Sequence, residues 1–134
     1  MEKLELSKEL LTGNTLIDKQ HTEFLGLCWR AAECADNCGE SMIIIAFLKK
    51  LEVAAETHFS SEGKIMEDSI YPDKQGHWRL HGHFLDELHA IQRLAESGET
   101  GRSFAKEIHE RLGHWFLLHI KKNDMKLFSY IIKK

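Results

Sequence analysis

His58-Phe59-Ser60-Ser61-Glu62 and, further along, His77-Trp78-Arg79-Leu80-His81 decide how this chain is read. Each stretch sets two potential metal ligands four residues apart. On an α-helix such residues stack on one face, with Cβ atoms about 5–6 Å apart. Each stretch therefore offers a pair of ligands to one interior. His21 upstream, and His119 with Asp124 downstream, complete a set of seven.

The residues around these seven follow a helical period. Ile17, His21, Phe24, Cys28, Ala31 or Ala32, and Ala35 recur at steps of three or four, one apolar stripe containing a histidine. The first helix is expected from about Asp18, as its N-cap, to the closing stretch 37–39. A second, capped by Ser41, carries Ile44, Phe47 or Leu48, Leu51, Ala54 or Ala55, His58, Glu62 and Ile65. Gly63 within it marks crowding or an approaching end. Tyr71-Pro72 ends it, because proline disfavours helix in the preceding residue. A third starts at 73–75 and carries His77, His81, Phe84 or Leu85, Leu88, Ile91, and Leu94 or Ala95. After the loop 97–101, a fourth carries Phe104, Ile108, Leu112, Trp115, Phe116 and His119. A short last helix is expected over 125–132. Thr12-Gly13-Asn14-Thr15 reads as a turn redirecting an N-terminal arm. The expected fold is all-α: an up-down-up-down antiparallel four-helix bundle with that arm and a short C-terminal helix, in one domain spanning 1–134.

Composition agrees and excludes other classes. The chain of 134 residues is 43% hydrophobic and 29% charged, with one proline, the profile of an ordinary globular chain without many short strands. A formal net charge of −3 favours neither nucleic acid nor an anionic membrane. The pairs Lys49-Lys50, Lys121-Lys122 and Lys133-Lys134 read as solvated helix faces or a frayed end. No segment approaches the roughly 18 apolar residues of a membrane span. The longest apolar run, 42–48, fits a buried helix turn. The first residues lack a secretory apolar region, so a cytoplasmic location is expected. Cys28, Cys34 and Cys38 form neither a disulfide framework nor a zinc knuckle. They read as reduced thiols, with Cys34 and Cys38 one helical turn apart.

All four long helices thus bring at least one ionisable group to the interior. A buried charge without compensation is too costly to keep, and a metal supplies that compensation. Five imidazoles and two carboxylates without a thiolate suit iron more than structural zinc. Seven protein ligands exceed one ion and suit two metals bridged by the carboxylates. His83, His109 and His114 read as ordinary histidines. So does His89, roughly two turns beyond His81. His119 and Asp124 pose a geometric problem. Five residues turn an ideal helix through about 500°. Both reach one site only if the helix ends, loosens or bulges between Ile120 and Asp124, as π-type bulges at functional sites do.

In order and spacing, Ile17-Asp18-Lys19-Gln20-His21, His58-Phe59-x-x-Glu62, Tyr71-Pro72, His77-x-x-x-His81 and His119-Ile120-x-x-x-Asp124 resemble the hemerythrins, particularly bacterial hemerythrin-like proteins. The resemblance runs from about Gly13 to Asp124. It implies a non-haem di-iron site, and the choice of iron over manganese comes from it. His77, His81 and His119 would hold one iron, and His21 and His58 the other. Glu62 and Asp124 would bridge the two, with an oxo or hydroxo group as a third bridge. The first iron then has six ligands and the second five, leaving one position for O₂. Phe24, Phe59, Trp115 and Ile120 resemble the apolar wall of the family's O₂ pocket, and serve equally as bundle core.

Three departures stand out. Leu6 lies near the place of a tryptophan that many bacterial members carry. Phe24 replaces a frequent leucine and reshapes the pocket. Cys28, roughly 10 Å along the axis from His21, is too far to ligate and lines a path to the site. The expected function is reversible O₂ binding for storage, delivery or scavenging. The alternatives are a di-iron redox enzyme acting on O₂, peroxide or nitric oxide, and an O₂ or redox sensor. O₂ is the expected partner. Neither nucleic acid nor membrane is, and a monomer is compatible with the sequence.

Overall fold

The computed structural model describes residues 1–37 and 39–133. Cys38, with its spacing to Cys34, and Lys134 lie outside them. The regular structure among the described residues is all helical, without strands. Helix α1 is Thr15–Asn37, α2 is Ser41–Asp68 and α3 is Lys74–Glu96. Helix α4 covers 102–133 without a non-helical break, as Arg102–Ile108, Trp115–His119 and Met125–Lys133 joined by π-helical stretches at His109–His114 and Ile120–Asp124. The expected C-terminal helix is its last segment. Helix α1 packs on α2 and α4, and α3 packs on α2 and the first π-helical stretch of α4. The four helices therefore close into a bundle. None is long and apolar enough to cross a membrane.

The buried positions follow the apolar stripes. In α1 they include Ile17, His21, Phe24, Cys28, Ala31, Ala32 and Ala35. In α2 the stripe ends on buried Met66, with Ile65 only partly covered. The core has two parts. A large cluster contains Phe24, Ala55, Phe59, Phe84, Phe116 and Ile120. A small one comprises Ile17, Met66, Tyr71, Leu127 and Phe128. Along the chain members of the two clusters bracket the polar candidates: Ile17 and Phe24 around His21, Ala55 and Met66 around His58 and Glu62, Tyr71 (just before α3) and Phe84 around His77 and His81, and Phe116 and Leu127 around His119 and Asp124. Phe59 and Ile120 are interleaved, so apolar packing closes the polar layer at either end. Each large side chain removed from water contributes about 1.5–3 kcal/mol.

Local chemistry differs from expectation at several ends. Asn14, not Asp18, caps α1: its Oδ1 accepts the Ile17 N–H at 3.0 Å. Asp18 faces the arm instead, accepting the Thr12 N–H and Oγ–H, both at 2.8 Å. Both residues are good caps, and helix entry one turn earlier frees Asp18 to fix the turn. Ser41 is already helical, and no side chain caps α2. A Cβ at Gly63 would meet nothing within 4 Å, and α2 runs on to Asp68, so neither crowding nor a helix end explains this glycine. The run 42–48 is not a buried turn: Ile44 and Leu48 are buried while Met42 is 83% exposed. The lysines of all three pairs that are described are exposed.

The arm docks on the first π-helical stretch. Leu4 is buried and fills the notch left by Gly113, where a Cβ would collide with its methyl groups. The His109 Nε2–H donates to the Glu2 carbonyl at 2.6 Å. Leu6 is only partly buried against the core, so Leu4 is the anchor of the arm.

The end of α2 is strained. The Tyr71 N–H returns to the Met66 carbonyl at 3.0 Å and the Ile70 N–H to the Glu67 carbonyl at 3.2 Å. This paired C-terminal motif requires a left-handed residue, normally glycine. Here it is Ile70, at φ +53°, a conformation that costs an L-residue about 1–2 kcal/mol. The Ile70 side chain is 77% exposed and little packing would be lost with it. Ile70→Gly should therefore raise stability by about 1 kcal/mol, seen as a melting temperature a few degrees higher by circular dichroism. An unchanged or lower value would refute the strain.

Candidate metal centre

The bundle brings all seven sequence candidates into one layer. None is more than 3% exposed. Helix α1 supplies His21. Helix α2 supplies His58 and Glu62 one turn apart, their Nε2 and Oε2 separated by 3.6 Å. Helix α3 supplies His77 and His81, with ring centroids 4.7 Å apart. Helix α4 supplies His119 and Asp124. The π-helical stretch Ile120–Asp124 widens the turn between them and brings Asp124 Oδ1 to 3.0 Å from His119 Nε2. An α-helical register would have carried the carboxylate away from the layer.

Two overlapping groups result, and within each the ligand atoms lie within 4.8 Å of one another. One is His77, His81, His119, Glu62 and Asp124; the other is His21, His58, Glu62 and Asp124. Both carboxylates belong to both groups. All five imidazoles turn Nε2 inward: His77 and His81 lie 2.7 and 3.1 Å from Glu62 Oε1, and His21 lies 2.9 Å from Asp124 Oδ2. The Nε2 atoms of His21 and His58 approach to 3.2 Å.

The donor set fits a cation better than it fits itself. Among the described residues, Glu62 and Asp124 pair only with histidines. Despite these short approaches, both Asp124 oxygens, Glu62 Oε2 and His119 Nε2 have no aligned hydrogen-bond partner among them. Orphaned buried polar atoms are rare in folded proteins, and an ion is one standard explanation. Converging lone pairs of nitrogen and oxygen are what a borderline or hard metal ion satisfies.

Electrostatics in the metal-free chain point the same way. Burial pushes the Asp124 carboxyl up, but the close imidazoles of His119, His21, His58 and His77 hold it well below its ordinary range. Glu62 is raised by burial and by the Asp124 charge, yet His77, His81 and His58 leave it lowered. Burial opposes a charged His77; Asp124 and Glu62 outweigh it and raise its pKa to about 9. At His81 burial, with the charges of His77 and His119, prevails over Glu62 and lowers the pKa.

Aromatic rings wall the layer. Phe59 stacks on His81 with centroids 4.0 Å apart, and Trp115 stacks on His119 at 5.0 Å. Phe24 stacks on Phe116 at 3.6 Å and abuts Phe59 and Phe84. Ile120 is buried in the same cluster. Sequence reasoning placed Phe116 only in the core, yet its ring faces His21, His58 and His119. It also missed Gln20, whose Oε1 lies 2.9 Å from His58 Nδ1. Gln20 sits off the apolar stripe on another helix, so periodicity carries no sign of it. The remaining histidines stay apart from the layer. His83 and His114 are exposed, His89 pairs with Glu52 at 3.0 Å, and His109 holds the arm. Cys28 is buried in the core cluster, and burial keeps its thiol protonated far above the ordinary range.

With its pKa raised to about 9, His77 holds a proton that a metal must displace. Binding of Fe(II) at pH 7 should therefore release about one proton from His77, and affinity should fall about tenfold per pH unit below 9 on this account. Calorimetry in buffers of different ionisation enthalpy measures the release. Uptake without proton release would contradict the role of His77.

Comparison with known proteins agrees with this geometry. Residues 12–131 match the family described as Hemerythrin HHE cation binding domain. A myohemerythrin of Theromyzon tessulatum is 28% identical over 117 residues, covering 86% of this chain and 85% of that protein. No solved structure matches the chain. With a family match running through nearly its whole length, from the arm's turn to the last segment of α4, the chain belongs to the hemerythrin HHE cation-binding family.

Proposed function

We propose that this chain binds O₂ reversibly at a di-iron centre, for storage, delivery or scavenging, as a single domain in the cytoplasm. The observation that carries the reading is the sharing of both carboxylates between two unequal histidine groups. His77, His81 and His119 would hold one iron and His21 and His58 the other, with Glu62, Asp124 and an oxo or hydroxo group bridging. On that assignment the first iron would have six ligands and the second five. Such a pair, when bound, would supply electrons reversibly to O₂.

The chain's own residues suit a carrier. The seven donors are preorganised on four helices, so little ordering is needed on loading. The rings of Phe24, Phe59, Phe116 and Trp115, with Ile120, exclude water and lower the local dielectric. Charge separation and escape of an oxidised product are disfavoured in such a setting. No lysine or arginine pairs with the layer's carboxylates among the described residues, and burial makes the Cys28 thiol too weak an acid to supply a proton.

The test is cycling. Protein reduced and loaded with Fe(II) should change its visible spectrum in air and recover the starting spectrum on evacuation, over repeated cycles. Rapid one-way oxidation would favour a redox enzyme or a sensor over a carrier. A ligand series checks the assignment. His77→Ala and Glu62→Ala should each lower iron content clearly below two per chain by metal analysis. His109→Ala should keep full iron while loosening the arm. Equal iron content in all three would show that the ligands are assigned wrongly.

A further inference from the structure

The hydrogen bonds around Gln20 form a short directed chain between α1 and α2. The Ser61 hydroxyl donates its one proton to the Thr57 carbonyl at 3.0 Å. Its oxygen is then an acceptor, and it receives the Gln20 side-chain N–H at 3.2 Å. With its amino end committed to Ser61, Gln20 turns its carbonyl oxygen to His58 Nδ1 at 2.9 Å. A carbonyl only accepts, so Nδ1 carries the hydrogen. A neutral imidazole has one N–H, so the lone pair of His58 lies on Nε2. That atom faces His21 Nε2 at 3.2 Å and Glu62 Oε2 at 3.6 Å. The flipped amide would draw the Ser61 proton away from Thr57 and set an N–H where a ligand lone pair is needed.

We propose that Gln20 is a positioning residue: through Ser61 it fixes the proton of His58 on Nδ1, and so sets how tightly the two-histidine side of the centre holds its metal. The support is particular to His58. The Nδ1 atoms of His21, His81 and His119 have no hydrogen-bond partner among the described residues. Partners of this kind orient the ring and raise its basicity, and losing one costs about 10- to 100-fold in metal affinity. Gln20 also lines an open groove of about 750 Å³ between α1 and α2, with Gly26 and Val53. It is only partly buried, so its replacement leaves the core intact.

This inference rests on the di-iron reading, and its test separates the two. In the metal-free protein, ¹⁵N NMR should report His58 as the Nδ1–H tautomer in the wild type and as a mixture in Gln20→Leu. Anaerobic titration with Fe(II) should show the weaker of two sites losing about 10- to 100-fold in affinity in Gln20→Leu, with the tighter site unchanged. Gln20→Glu, which keeps an acceptor of the same length, should restore the affinity. It should also lower the midpoint potential below that of the wild type, because a charged acceptor strengthens imidazole donation. Ser61→Ala should fall between wild type and Gln20→Leu. Two Fe(II) bound with no tautomer or affinity change in Gln20→Leu would overturn the inference. A tautomer change in a wild type and variant that bind no Fe(II) would keep the proton assignment and overturn the metal reading.

Discussion

Two carboxylates, Glu62 and Asp124, sit fully buried in the middle of a helical bundle, paired only with imidazoles among the described residues. Everything else in the structure answers that constraint. An anion out of water must be compensated or neutralised, and here the close imidazoles hold both carboxyl pKa values below their ordinary range. Five imidazoles, each turned Nε2-inward, leave a layer of lone pairs that protein groups alone do not satisfy. The fold supplies four rigid supports for that layer and an apolar cluster at either end of it. Membership in a cation-binding family and a hunger for positive charge are thus two descriptions of one arrangement.

The unequal division of histidines follows from the helices themselves. Helices α3 and α4 place three imidazoles on one side, while α1 and α2 place two on the other. Glu62 and Asp124 come from helices on opposite sides of that division, and so both carboxylates reach both groups. Aromatic rings then sit on the inward-facing imidazoles rather than merely near them, as Phe59 on His81 and Trp115 on His119 do. Packing that excludes water and packing that fixes ligand orientation are here the same contacts.

Much of this was legible in the chain. The stripes through His21, His58, His77 and His119 gave the helices and their inward faces, and four-residue spacings gave the inward-facing pairs of candidate ligands. Even the misfit between His119 and Asp124 was a readable signal, because five residues cannot share a face of an α-helix. What stayed hidden depends on neighbours distant in sequence. Gln20 and His58 lie 38 residues apart, and only the packing of α1 on α2 joins them. Asn14 and Asp18 are both good caps, and which one is used depends on where the arm enters. The π-helical stretch at His109–His114 had one local hint, Gly113 inside a helical pattern, whose meaning needs Leu4 in view.

The π-helical stretch of Ile120–Asp124 has a consequence for how this centre can change over generations. The alignment of Asp124 with His119 depends on the number of residues between them more than on which residues they are. Lys121 and Lys122 are exposed and can drift freely. Inserting a single residue there would swing Asp124 through about 100° and take a carboxylate from both histidine groups at once, whereas losing one would return the pair to the four-residue spacing of an ordinary α-helix face. This short segment is therefore tolerant of spelling and intolerant of lengthening, a ruler written into the helix.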